Sequence, residues 1–169
     1  MTKSEENQKV SWLKMWWPAL VWALVISGFS THLFTAENTG HVIIPILHWL
    51  FPSLPLATLE FMHHIIRKCA HFTEYFILSL LILRGIRAGR HGARLAWAVL
   101  AIVIVAAYAS LDEFHQSFVP GRTPAVRDVL IDTSGGAAAQ AVAALFALWV
   151  NVREERNSAR EGTPEKPGA

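Results

Sequence analysis

A single cysteine, Cys69, stands in 169 residues, so no intrachain disulfide can form and a disulfide-stapled fold is excluded. As a lone thiol it reads as a small apolar residue, since no cysteine-enzyme signature surrounds it. Charge is also scarce: Asp, Glu, Lys and Arg make up 17% of the chain, too little to coat a soluble domain of this size. Neither sign dominates. With 15 Lys and Arg against 13 Asp and Glu, the net charge of +2 argues for no nucleic-acid partner. An internal repeat and a second domain are both missing. A clean A-x-A site after the first apolar run is lacking too, which favours a retained anchor over a cleaved signal peptide.

What fills the chain instead is apolar: 53% of residues are hydrophobic and the mean hydropathy is +0.33. Apolar runs cover residues 16–34, 69–86, 95–111 and 129–150, each about as long as the 17–25 residues a helix needs to cross a bilayer. Trp12, Trp16 and Trp17 lie at the start of the first run and Trp149 at the end of the last, as in an interfacial aromatic belt. The second run is the most interrupted, by His71 and Glu74, but residues 75–83 are continuously apolar or small. Lys3, Lys9 and Lys14 precede the first run; Arg84, Arg87, Arg90 and Arg94 join the second to the third; Arg153, Arg156 and Arg160 follow the fourth. The positive-inside rule then sets the direction. The chain is expected to be an all-α, four-helix transmembrane bundle with both termini cytoplasmic and with 35–68 and 112–128 facing outward. Its first partner is the lipid bilayer.

The first outward segment contains HVIIPILHWLFPSLP (41–55), apolar but broken by Pro45, Pro52 and Pro55, and so expected at the interface instead of across it. Residues 1–15 form a cytoplasmic N-terminal segment and 16–150 the membrane domain. Residues 151–169, charged and then rich in Gly, Pro and Glu, are expected to be a disordered cytoplasmic tail.

Two charged clusters interrupt this apolar pattern: RKCAHFTEY (67–75) and DEFHQSFVPGR (112–122). Ionisable groups in a spanning helix cost roughly 2.5–3.5 kcal/mol each at the bilayer centre, and are usually turned toward the bundle interior and paired. Helical neighbours lie three and four residues apart. His64, Arg67, His71 and Glu74 or Tyr75 then form one stripe, and Tyr108, Asp112 and His115 a second, with Glu113 and Gln116 beside it. Asp128 and Asp132 stand a turn apart on the fourth helix and lead into Gly135 and Ala139, a small-xxx-small pair that permits close helix approach. Facing stripes would let Arg67 and Arg122 neutralise some of Glu74, Asp112, Asp128 and Asp132. Pro120-Gly121 makes a tight turn that folds Arg122 back over the cluster.

Three chemistries fit these residues. His71-x-x-Glu74 and Asp112-x-x-His115 offer imidazole–carboxylate pairs at metal-ligand spacing, but Arg67, Lys68 and Arg122 oppose a cation, so no metal or other cofactor is expected. General acid–base work on a lipid-linked phosphate or glycan, by a hydrolase or transferase, would draw on His71, Glu74, Asp112 and His115, with Arg67 and Arg122 holding the phosphate. Non-catalytic binding would use the wider set: Arg67, Lys68, His71, Glu74, Tyr75, Asp112, Glu113, His115, Gln116, Arg122, Asp128 and Asp132. A purely structural ion-pair network that sets helix register is the plain alternative.

Taken together, Arg67-Lys68-x-x-His71-Phe72-x-Glu74-Tyr75, then Asp112-Glu113-x-His115-Gln116 through Pro120-Gly121-Arg122, then Asp128 and Asp132-x-x-Gly135, resemble the VanZ-like family of small bacterial membrane proteins. The likeness covers about 16–150. Asp132 departs from the Asn more usual there, which makes the site more acidic. The resemblance implies a multi-pass protein of the bacterial cytoplasmic (inner) membrane and a link to teicoplanin-type glycopeptide resistance. It also implies a cell-envelope ligand, such as a lipid-linked precursor or a lipoglycopeptide.

Overall fold

The computed structural model describes residues 3–88, 90, 92, 94–120 and 125–161, and among these no strand occurs. Five helices follow one another: α1 Lys3–Phe29, α2 Ala36–Leu50, α3 Leu56–Arg87, α4 Leu95–Gln116 and α5 Val126–Glu161, with a short 3-10 turn at His32–Phe34 between α1 and α2. α3, α4 and the Val126–Ser158 part of α5 are long and apolar enough to cross a membrane; α4 is the most apolar, with a mean hydropathy of 2.1. The apolar part of α1, Leu13–Phe29, is shorter.

Three boundaries differ from those expected. α2 is helical where an interrupted interfacial segment was expected, and Pro45 lies inside it. Pro18 in α1 and Pro45 in α2 each remove one N–H from the ladder without ending the helix. Thr35 caps α2 by accepting from the Asn38 N–H, and Glu37 supports the first turn. At 15 residues, or about 22 Å, α2 remains too short to span. α3 starts at Leu56 instead of 69, because nothing after Pro55 breaks a helix and its polar residues fall on a face that packs against α2. α5 stays helical to Glu161 where a disordered tail was expected from 151. Residues 151–161 hold no Gly or Pro, so the packed helix propagates through them at little cost.

α3 is central. It packs on α1, α2, α4 and most extensively α5, and ends with Ala88 in the left-handed region at φ 47°, its N–H returning to the Arg84 carbonyl. Ile26, Tyr75, Leu78, Ile82, Ala101, Val105 and Ala109 form the core, with Trp16, Trp22 and Tyr108 against it. The pattern is inverted relative to a soluble protein. Leu24, Trp49, Leu95 and Val126 are 72–81% exposed, while Ser79, Asp112, Asp132 and Gln140 are buried. A hydrocarbon solvent produces this distribution.

Candidate functional site

The site grows from one stripe of α3. Residues 63, 67, 71, 75 and 79 recur every fourth position and turn His63, Arg67, His71, Tyr75 and Ser79 toward the neighbouring helices. His63, not the exposed His64, occupies the stripe. At the α2 end, the Thr39 hydroxyl donates to the Thr35 carbonyl (2.8 Å), which spends its one proton. It therefore accepts from both Arg67 Nη1 (3.0 Å) and His63 Nε2 (3.1 Å), which puts a proton on that imidazole nitrogen. Arg67 Nη1 also donates to the Phe34 carbonyl at 2.9 Å. Beside this network lies a cleft of about 210 Å³. Its lining combines polar Arg67, His71, Glu74 and Thr39 with apolar Phe29, Phe34, Ile43 and Ile66.

Behind the cleft stand four carboxylates, each held differently. Asp112 Oδ2 accepts from Ser30 Oγ (2.7 Å) and Gln116 Nε2 (2.8 Å). Glu113 accepts from the Ala125 N–H and so ties α4 to the start of α5. Asp128 pairs with Lys68. Asp132, only 3% exposed, faces His71 with Oδ1 3.5 Å from Nδ1, too far for good hydrogen-bond geometry. Those two atoms and the Tyr75 hydroxyl are buried without a hydrogen bond. Groups left so are where a polar ligand gains most.

Asp132 reaches His71 because α5 approaches α3 closely one turn later. A Cβ on Gly135 would lie 2.3 Å from the Phe72 carbonyl oxygen. Two further bonds lock the frame: Trp22 Nε1 donates to the Glu74 carbonyl (2.9 Å), and the Tyr108 hydroxyl to the Ala23 carbonyl (2.6 Å).

A family model described as VanZ/LLP1 matches residues 6–147. The chain belongs to the VanZ-like family. No curated protein and no solved structure matches it. In this VanZ-like chain the matched interval takes in α1 to α4 and most of α5, and with them the whole cleft and all four carboxylates.

Of the residues singled out from sequence, Arg67, His71 and Glu74 share the cleft. Lys68 joins Asp128, and His71 joins Asp132, with the fully buried Tyr75 within electrostatic reach of Asp112 and Asp132. Gln116 joins Asp112, and Glu113 binds main chain. His115 is exposed and stands apart from the cleft. Arg122 lies outside the described residues. The two imidazole–carboxylate pairs do not converge, and among the described residues no three His, Cys, Asp or Glu side chains gather as metal ligands.

Sequence reading missed Ser30, Thr39, His63, Ser79 and Gln140. Two signals were available: the strict four-residue recurrence from His63 to Ser79, and a Gln in the middle of an apolar helix. Gln140 Nε2 donates to Ser79 Oγ (2.7 Å), whose own proton goes to the Gly136 carbonyl (2.9 Å). Ser30 and Thr39 carried no such signal, since each matters only through the partner that folding brings to it.

Proposed function

We propose that this VanZ-like protein crosses a bacterial cytoplasmic membrane four times, on α1, α3, α4 and α5, with α2 at the outer interface. Both termini are cytoplasmic, and the Arg67–His71–Glu74 cleft opens at the outer leaflet. There it binds an amphipathic cell-envelope component, a lipid-linked precursor or a lipoglycopeptide, and thereby contributes to teicoplanin-type resistance. The membrane domain spans 16–150. The observation that carries this reading is the mixed polar and apolar lining of the cleft. Arg67 brings a fixed positive charge suited to a phosphate or carboxylate. Phe29, Phe34, Ile43 and Ile66 in the same lining suit a hydrocarbon chain.

The test is an abundance-normalised alanine scan of Arg67, His71, Glu74, Asp112 and Arg122 under teicoplanin and under general envelope stress. Loss of phenotype at normal abundance is expected for Arg67→Ala and His71→Ala. Wild-type behaviour of both would remove the basis of the proposal, and a fall in abundance that tracks the phenotype would make the cluster a structural network.

One observation favours a second reading. An imidazole backed by a buried carboxylate, as in His71 and Asp132, is the pairing by which general bases are oriented. In that case the protein is a hydrolase or transferase of a lipid-linked phosphate or glycan. Purified protein should then turn over one member of an envelope-lipid panel, and His71→Gln should abolish turnover; no product from any member, with or without divalent cations, excludes it.

A further inference from the structure

A second constellation lies toward the C-terminal end of α3, with Arg84 about 25 Å along the helix from Arg67 of the cleft. There a cavity of about 430 Å³ opens between α1, α3 and α5, lined by Arg84, Arg87 and Arg90 together with Met15, Leu80 and Leu83. A second cavity of about 220 Å³ shares Leu83, Arg87 and Ala143 with it and continues between α4 and α5 along Leu95, Ala98 and Ala144. The two are contiguous, and their lining combines arginines with apolar side chains.

Among the described residues the hydrogen bonds of these arginines go to main chain. Arg84 Nη2 donates to the Lys14 carbonyl (3.3 Å), Arg87 Nε to the Arg90 carbonyl (3.2 Å), and Arg90 Nε to the Arg87 carbonyl (3.0 Å). Arg90 and Arg94 also lie over the Trp97 ring, 5.1 and 4.9 Å from its centroid. Among the described residues the ion pairs are Lys68–Asp128 and His71–Asp132, both at the opposite end. Among the described residues no carboxylate pairs with these guanidinium groups, so their charges repel one another. An anion would relieve that repulsion. The apolar continuation at the same depth requires that the anion carry a hydrocarbon chain.

We infer that this cleft is a binding site for an anionic phospholipid, with the headgroup phosphate on Arg84, Arg87 and Arg90 and an acyl chain along Leu83, Leu95 and Ala98. Interhelical basic pockets at the basic face of a membrane protein hold such headgroups. A zwitterionic lipid offers the same phosphate, but its ammonium group would meet three positive charges, so the site selects net negative charge.

The experiment reconstitutes the full chain in bilayers of equal parts phosphatidylglycerol and phosphatidylcholine, extracts it in mild detergent and weighs retained lipid by native mass spectrometry. Phosphatidylglycerol should be retained in at least about tenfold preference, falling about fivefold for each arginine charge removed in Arg84→Gln and Arg87→Gln. Arg153→Gln, a basic residue at the same face but outside both cavities, should change nothing. Leu83→Trp, which fills the wall common to both cavities and leaves every charge, should also release the lipid. Melting temperatures in the same detergent identify any variant that fails to fold, and the remaining ones decide. Equal retention of the two lipids would overturn the assignment. So would Gln variants that keep the preference, or displacement of the lipid by millimolar inorganic phosphate, which would make this a site for a free anion.

Discussion

Gly135 shows how much one residue decides. Any side chain there meets the Phe72 carbonyl oxygen, and main chain cannot swing aside as a flexible side chain can. Gly135→Ala is expected to destabilise the protein by about 1–3 kcal/mol and to pull Asp132 away from His71. Gly28→Ala, where a Cβ would meet nothing within 4 Å, is expected to be neutral or slightly stabilising. Thermal melts of the two variants in one detergent check the contrast. Thr39 is the second such residue, because its hydroxyl is the acceptor on which Arg67 and His63 meet. Thr39→Val keeps the shape and removes the acceptor, at an expected cost of about 1–3 kcal/mol. Thr39→Ser should restore most of that loss in the same melts.

At the scale of elements, α3 and α5 are joined by two polar links of different worth. Lys68 and Asp128 are each about a quarter exposed, so their pair is screened, and Lys68→Ala should cost no more than about 1 kcal/mol. Ser79 and Gln140 are buried, and their hydrogen bond replaces contacts that lipid cannot supply. A double-mutant cycle with Ser79→Ala and Gln140→Leu should give a coupling of about 0.6–1.7 kcal/mol, the range of interhelical bonds in membranes. A coupling of zero would mean that Gln140 is retained for another reason, such as its place beside the basic cavity. Residues 151–158 are exposed throughout. Ending the chain after Val150 should therefore leave the melting temperature unchanged.

For the molecule as a whole, the decisive prediction concerns direction. In a Cys69→Ala background, Lys14→Cys and Ser158→Cys should react with an impermeant maleimide only from the cytoplasmic side, and Ser53→Cys only from the other. Labelling of Lys14→Cys and Ser158→Cys from opposite sides would require an odd number of crossings and would move either the cleft or the basic cavity to the wrong leaflet. The basic end and the carboxylate end are set apart along α3, Arg67 and Arg87 being about 30 Å from one another along the helix. In the proposed orientation the two sites would face opposite leaflets.

The sequence by itself determined the all-helical class, the apolar runs that became α1, α3, α4 and α5, and the family. Each of these rests on local hydropathy or on residues close together in the chain, which survive without knowledge of packing. It also brought forward Arg67, His71 and Glu74, because an i, i+4 stripe is a local property of one helix. It could not show that His63 would take the place expected of His64, since which side of α3 meets α2 depends on how both helices are rotated in the bundle. Nor could it foresee that Asp112 would take Ser30 as its donor, or that Arg67 would reach Thr39 and the Phe34 carbonyl. Those pairings join residues far apart in the chain, and only the close approach of helices, permitted at Gly135 and held by Ser79 and Gln140, decides them.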